Sequence, residues 1–306
     1  MLGPTRFPSP CGLAETGASP LGDAVVGAWD AFLAVVDSAD LSRPSRLPGW
    51  TGRDTCIHLG SWDDHRVLVG LVEAARNGGG SPPGDVDEDN ARLVAAHRDA
   101  TDAEVRAALQ RSRDIIAAWF GGPEPAELGA ARVRSSVGEL PLLSLLHAGC
   151  YELAVHALDL APCGADAPSP LLLDRGLGAL IDVTGALSAR SGIEITVTAQ
   201  APDGGWSLSS TSRGWTTQPV PAGVFAGVGV SGTAPDLLDA SAGRAHVPVL
   251  LVQRRLKVQE LSSFMRLAPL LQDVPGVPGG PVLKAGVAGL SSVSGGVGRL
   301  LGRLRG

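Results

Sequence analysis

The sequence predicts an α+β protein in which a helical bundle comes first and a smaller mixed domain follows. Three observations predict it. Up to Pro162 the apolar side chains recur at helical spacing. After Pro170 they begin to alternate, as in Ile193, Ile195 and Val197, which is the period of a strand. The Pro-containing stretch between reads as a linker. The 306 residues suffice for two domains at roughly 100–200 residues each. The expected division is a bundle over 20–162, an α+β domain over 168–272, and a flexible Gly/Pro-rich tail over 273–306.

Residues 1–19 are rich in Pro and Gly and are expected to be mobile. The first helix follows from Val25, Val26, Trp29, Phe32, Leu33 and Val36. Pro44 and Pro48 then interrupt the chain, because proline lacks a donor and restricts its predecessor. Thr51-x-x-Asp54 has the form of a capping box, so a second helix is expected from Thr51 through Trp62 and Leu71 to about Arg76, where Asn77-Gly78-Gly79-Gly80 stops it. A short helix is expected at Asn90–His97 and a longer one after Thr101-x-x-Glu104, carrying Val105, Leu109, Ile115, Ile116 and Trp119. The last helix of this half begins near Pro141 and carries Leu142, Leu145, Leu146, Tyr151, Val155 and Leu158. In the second half, Leu171–Ala189 reads as a helix, with strands at Ile193–Val197, around Trp206 and Leu208, at Val224–Val230 and at Leu250–Val258. Further helices are expected at 235–242 and 261–271.

Composition narrows the function. Apolar residues are 44% of the chain and charged residues 18%, enough for a core and too little charge for a disordered chain. Acidic residues number 31 against 25 basic, so the formal charge is −6 and a nucleic-acid partner is not expected. No run approaches the roughly 18 apolar residues of a membrane span, so stable membrane insertion is not expected either. The N-terminal stretch has no apolar secretory core. The four cysteines, Cys11, Cys56, Cys150 and Cys163, form no C-x-x-C pair, and a reducing cytoplasm is the expected compartment.

The segment that carries chemistry is Tyr151-Glu152-Leu153-Ala154-Val155-His156-Ala157-Leu158-Asp159. Residues four apart share a helix face, so Glu152 and His156 project together, with Asp159 one turn later. A carboxylate and an imidazole on one rigid face make half of a first-row metal site. Asp159 can orient His156 through the ring nitrogen that faces away from the metal. A third ligand must come from another helix, and His58 is of the right type. A His2Glu set leaves one coordination position open, as in a catalytic zinc site. The same spacing also suits a hydrogen-bonded Glu–His pair, and His58 a partnership with Asp54.

Leu47-Pro48-Gly49-Trp50-Thr51-Gly52-Arg53-Asp54, followed by His58-Leu59, resembles the signature of mycothiol-dependent maleylpyruvate isomerase-like proteins, a family within the DinB-like metal-binding four-helix bundles. Gly138-Glu139-Leu140-Pro141 and then Glu152-x-x-x-His156-x-x-Asp159 resemble its second segment. The resemblance implies that His58, Glu152 and His156 bind a divalent metal, usually zinc, with mycothiol as thiol cosubstrate. Residues 165–272 resemble the small sterol-carrier-like domain that often follows. Gly232-Thr233-Ala234-x-Asp236-Leu237-Leu238 and Gly243-Arg244 match its G-x-A-x-D-L-L…G-R segment, which makes Arg244 the candidate catalytic residue for anionic substrate groups. Asp239-Ala240-Ser241-Ala242 departs from the bulky apolar residues usual at that place.

A thiol held as thiolate by an open cationic position is a nucleophile at neutral pH. In an isomerase it adds to the cis double bond of an unsaturated diacid, and rotation followed by elimination gives the trans isomer. In an S-transferase it attacks a small electrophile and the conjugate leaves. A metal- or lipid-binding protein without turnover, and a metal-dependent hydrolase, are the other readings.

Several features are set aside. Gly227-Val228-Gly229-Val230-Ser231-Gly232 matches a dinucleotide fingerprint but lacks the acidic residue expected roughly 20 positions later. His65 reads as a rim or surface residue, and His147 lies about 140° around the helix from Glu152. Cys56 and Cys150 read as small core residues, Trp206 and Trp215 as core, and Arg254-Arg255-x-Lys257 as a solvated strand edge.

Overall fold

A computed structural model describes residues 6–63, 66–80, 84–223 and 225–271; the tail over 273–306 and His65 lie outside the described residues. The chain is α+β, with a helical N-terminal region and a C-terminal sheet domain. The helices are α1 (Ala18–Ser38), α2 (Gly52–Leu59), α3 (Val67–Arg76), α4 (Val86–Ala96), α5 (Asp102–Phe120) and α6 (Glu124–Leu128). A hairpin of β1 (Arg132–Ser135) and β2 (Gly138–Pro141) leads into α7 (Leu142–Asp159). Then come α8 (Pro170–Arg190), β3 (Ile195–Ala201), β4 (Gly204–Thr211), β5 (Gly214–Val220), β6 (Gly229–Gly232), α9 (Ala234–Ser241), α10 (Val247–Val252), β7 (Leu256–Gln259) and α11 (Leu261–Phe264). The sheet order is β5-β4-β3-β6-β7, with only the β3–β6 pair parallel.

The bundle core forms where the apolar stripes of α1, α2, α5, α7 and α8 meet, with Phe32, Ile57, Leu109 and Leu153 essentially without solvent exposure. Leu238 and Ala242 of the C-terminal half join this same core. A second core lies between α8 and the sheet, where Leu177 and Ile181 meet Val197, Ala199, Trp206 and Leu208. By length and mean hydropathy α1 is the one described helix able to cross a membrane. Its residues Val25, Ala28, Phe32 and Val36 are spent instead on the bundle core.

α8 faces both layers, which explains a helix with so many glycines. A Cβ on Gly178 would stand 2.8 Å from the Trp206 ring, and one on Gly185 would stand 2.6 Å from the Trp215 ring. Both tryptophans therefore lie flush on the helix, and their indole N–H groups donate to Asp174 and Asp182 at 2.9 Å each. Trp206 and Trp215 are core residues, at 6% and 2% exposure.

The structure corrects several expectations. The helix expected from Thr51 to Arg76 is two helices, broken after Leu59. Trp62 turns inward to stack on His97, and its indole N–H donates to the Ile57 carbonyl at 3.0 Å; burying that ring outweighs continuing the helix. The segment Leu250–Val258 is not one strand. Pro248 starts α10 in the first turn, and Arg254, at φ 59°, reverses the chain into β7. The strand expected at Val224–Val230 is β6, shifted to Gly229–Gly232. The helix expected at 261–271 is α-helical only to Phe264, then 3-10 over Met265–Leu271. The β1–β2 hairpin and β5 carried too few alternating apolar residues to be read from the sequence.

The N-terminal stretch is also fastened rather than loose over its described part. Cys11 and Leu13 are buried, Phe7 donates its N–H to the Ala130 carbonyl at 2.8 Å, and Trp215 donates to the Pro10 carbonyl at 3.1 Å. Gly12 takes φ 65° beside Asp182, where a Cβ would stand 2.0 Å from the carboxylate oxygen. This segment closes the seam between the bundle and β5.

Candidate metal centre

Two local structures aim the site. The first is the turn before α2. Trp50 donates its N–H to the Leu47 carbonyl at 3.1 Å, and Gly49 supplies the left-handed φ of 80° that the turn needs. Thr51 then caps α2: its hydroxyl accepts from Asp54 N–H at 3.2 Å while Asp54 accepts from Thr51 N–H at 2.8 Å. This reciprocal cap sets where α2 starts, and so where His58 points. Thr51→Ala is expected to cost about 1 kcal/mol of stability in urea unfolding. A loss below about 0.3 kcal/mol would show that the α2 N–H groups have another acceptor.

The second structure is α7, which begins after Pro141 and is buried along most of its length. It presents Glu152 and His156 on one face, and the interhelix packing brings His58 against them. One donor atom from each of His58, Glu152 and His156 lies within 4.8 Å of the others. The two imidazole rings meet edge to face, with centroids 5.2 Å apart, and the Trp50 ring stands 5.9 Å from His58. His156 is nearly buried at 4% side-chain exposure, whereas Glu152 is 44% exposed, so the group opens to solvent on the Glu152 side.

Behind the three donors sits Asp159, with no side-chain exposure. Its Oδ2 lies 3.1 Å from Nδ1 of His156, which turns Nε2 toward Glu152 Oε2 at 3.4 Å. Burial acts against a charge on His156, but the hydrogen bonds and charges of Asp159 and Glu152 prevail and raise it to about 9. Desolvation likewise opposes the charge on Glu152 and Asp159, but His156 and Arg244, joined at Glu152 by the His58 charge, hold both carboxyls below the ordinary range. A cation at Nε2 of His156 therefore competes with a proton.

Arg244 does not stand free in the opening. Its Nε donates to Asp159 Oδ1 at 3.0 Å and its Nη2 to Oδ2 at 3.0 Å, a two-pronged grip at 11% side-chain exposure. Its charge also helps to hold the Glu152 carboxyl down. The remaining histidines and cysteines take other places. His147, at 2% exposure, is pushed down to about 4 by burial and the Arg175 charge. Cys56 and Cys150 are buried thiols pushed up to about 12 by desolvation, poor nucleophiles. A separate open cleft of about 500 Å³, lined by Trp62, His97, Asp99, Glu104 and Arg111 among others, holds none of the three donors.

Sequence reasoning passed over two residues beside the centre. Arg46 donates to Asp239 at 2.7 Å, and Tyr151 shares a 3.2 Å hydrogen bond with Ser241. Both partners lie on α9, more than 80 positions away in the chain, so no local spacing signals them.

Comparison with known proteins fits this architecture. Residues 23–161 match the model of the mycothiol maleylpyruvate isomerase N-terminal domain. The crystal structure of the mycothiol-dependent maleylpyruvate isomerase aligns over 74% of this chain and 90% of its own, at 20% identity and TM-score 0.50, a likeness of fold. A histidine-to-alanine mutant of that enzyme aligns over 76% and 90%, at 21% identity and TM-score 0.46. No curated protein matches the chain. All three donors fall inside residues 23–161, the stretch that matches the mycothiol maleylpyruvate isomerase N-terminal domain.

Proposed function

We propose that this protein is a mycothiol-dependent isomerase of small unsaturated diacids of the maleylpyruvate type, working at a divalent metal held by His58, Glu152 and His156. The observation that carries the reading is the convergence of these three donors within 4.8 Å inside the matched domain. Two imidazoles and one carboxylate suit zinc and leave a fourth position for a ligand from solution. A metal bound there supplies the positive charge that keeps a thiol ionised at neutral pH.

The protein's own groups prepare that position. Asp159 keeps a proton on Nδ1 of His156, so that Nε2 offers its lone pair to the centre. Glu152 lies at the open edge, where a small substrate and a thiol can enter. Trp50 walls the His58 side with an apolar ring. Arg244 holds Asp159 in place, and its positive charge favours an anionic substrate near Glu152. None of these roles asks for a protein thiol, in keeping with the deep burial of Cys56 and Cys150.

The test is turnover of maleylpyruvate by purified protein with zinc, with and without mycothiol. Isomerisation that requires mycothiol and disappears on chelation supports the reading. Conjugate formation with epoxides or other electrophiles, without isomerisation, would replace it with an S-transferase. Hydrolysis with water alone would make the centre a hydrolase, and zinc binding without turnover of any of these would leave a binding protein.

A further inference from the structure

Asp159 is held by more than His156 and Arg244. Arg46, in the turn that leads into α2, lies against it from another side: its Nε is 3.8 Å from Asp159 Oδ1, and its backbone N–H donates to the Asp159 carbonyl at 2.9 Å. The same guanidinium donates through Nη1 to the Leu158 carbonyl at 3.4 Å and through Nη2 to Asp239 Oδ1 at 2.7 Å. Arg46 thus joins three elements: the turn whose end sets the start of α2 and the direction of His58, the C-terminal end of α7 that carries His156, and α9 in the C-terminal half.

The charges are arranged as an alternating set. Two guanidinium groups flank the buried Asp159 carboxylate, and Asp239 answers the outer face of Arg46 at 18% exposure. Asp239 stands where the resemblance leads one to expect a bulky apolar residue. Its partner explains it: an apolar side chain there would leave Arg46, three-quarters buried, without its closest carboxylate.

We infer that Arg46 is a positioning residue for the metal centre, locking the His58-bearing turn to the carboxylate behind His156 and coupling both to the C-terminal domain through Asp239. The inference rests on the metal reading above. Arg46 touches none of the three donors; it acts by fixing the Asp159 carboxylate so that His156 presents Nε2 in one orientation. Groups bonded directly to a ligating histidine, as Asp159 is, typically change metal affinity about 10–100-fold when replaced, and Arg46, one step behind Asp159, has a smaller effect. A link that merely stabilised the fold would lower the melting temperature and leave metal affinity alone.

The experiment measures zinc affinity of the full chain by competition with a chromogenic chelator, and the visible absorption of the cobalt-loaded protein. Arg46→Gln is expected to weaken zinc binding by about 3–10-fold, below the range of a direct partner of the ligand, and to alter the cobalt spectrum. Arg46→Lys is expected to recover part of the affinity, because it keeps the charge but not the fork. Asp239→Asn is expected to move affinity in the same direction by less, and adding it to Arg46→Gln to produce no further loss, since the two act through one link. Should Arg46→Gln fail to fold, Arg46→Lys and Asp239→Asn carry the test. Wild-type affinity and spectrum in a folded Arg46→Gln, beside a His156→Ala protein that has lost zinc, would overturn this inference alone. A wild-type chain that binds no zinc would overturn the metal reading and this inference together.

Discussion

His156→Ala is expected to remove metal from the protein and lower mycothiol-dependent turnover by at least about 100-fold. The magnitude follows from the donor set. With His156 gone, His58 and Glu152 remain, and two side chains do not hold a divalent ion against water and buffer. No other described histidine, cysteine or acid groups with the remaining pair within bonding range of one ion. The fold should survive, because Asp159 keeps Arg244 at 3.0 Å and Arg46 beside it. Elemental analysis of wild type and variant checks the prediction directly. Equal metal in the two would strike His156 from the ligand set.

Asp182→Ala is expected to destabilise the chain by about 3–5 kcal/mol, the largest stability effect foreseen here. Asp182 is 1% exposed, and its single Oδ1 accepts three hydrogen bonds: from Leu13 N–H at 2.9 Å, Trp215 Nε1 at 2.9 Å and Thr217 Oγ1 at 2.7 Å. It therefore ties the N-terminal segment and β5 to α8. Burial raises its pKa, while the hydrogen bonds pull the other way. Alanine would strand two buried donors and the half-buried Thr217 hydroxyl, each at roughly 1–3 kcal/mol in full, reduced where the N-terminal segment loosens and readmits water. Asp182→Asn keeps an acceptor oxygen in place and should cost clearly less. Urea unfolding of both variants decides it; a loss below about 1 kcal/mol for Asp182→Ala would mean that water replaces the carboxylate at no real penalty.

The helical half was legible because its signals are local. The Thr51 and Thr101 caps, the stripe from Val25 to Val36, and the Glu152, His156, Asp159 ladder all depend on residues within one or two turns. The structure places them where spacing alone requires. His58 entered as a residue of the right type on a neighbouring helix and through a motif resemblance, since no rule of spacing sets the distance between α2 and α7. The break after Leu59 escaped notice because Trp62 continues a helical pattern as well as it fills a pocket against His97. The β1–β2 hairpin escaped because four-residue strands carry too few alternating positions to stand out from loop.

By itself, then, the sequence determined the α+β class, the helices of the bundle and the one face that carries a carboxylate and an imidazole. These are set by backbone geometry and by the preference of apolar side chains for one side of a helix. Only the tertiary structure decided that His58 meets that face, that Arg244 is turned onto Asp159, that Arg46 bridges Asp159 to Asp239, and that residues around Leu13 are pinned by Asp182. Each of these pairs residues from about 85 to nearly 200 positions apart. Which partner a charge finds at such separations depends on how whole helices pack, a property that no short window of residues contains.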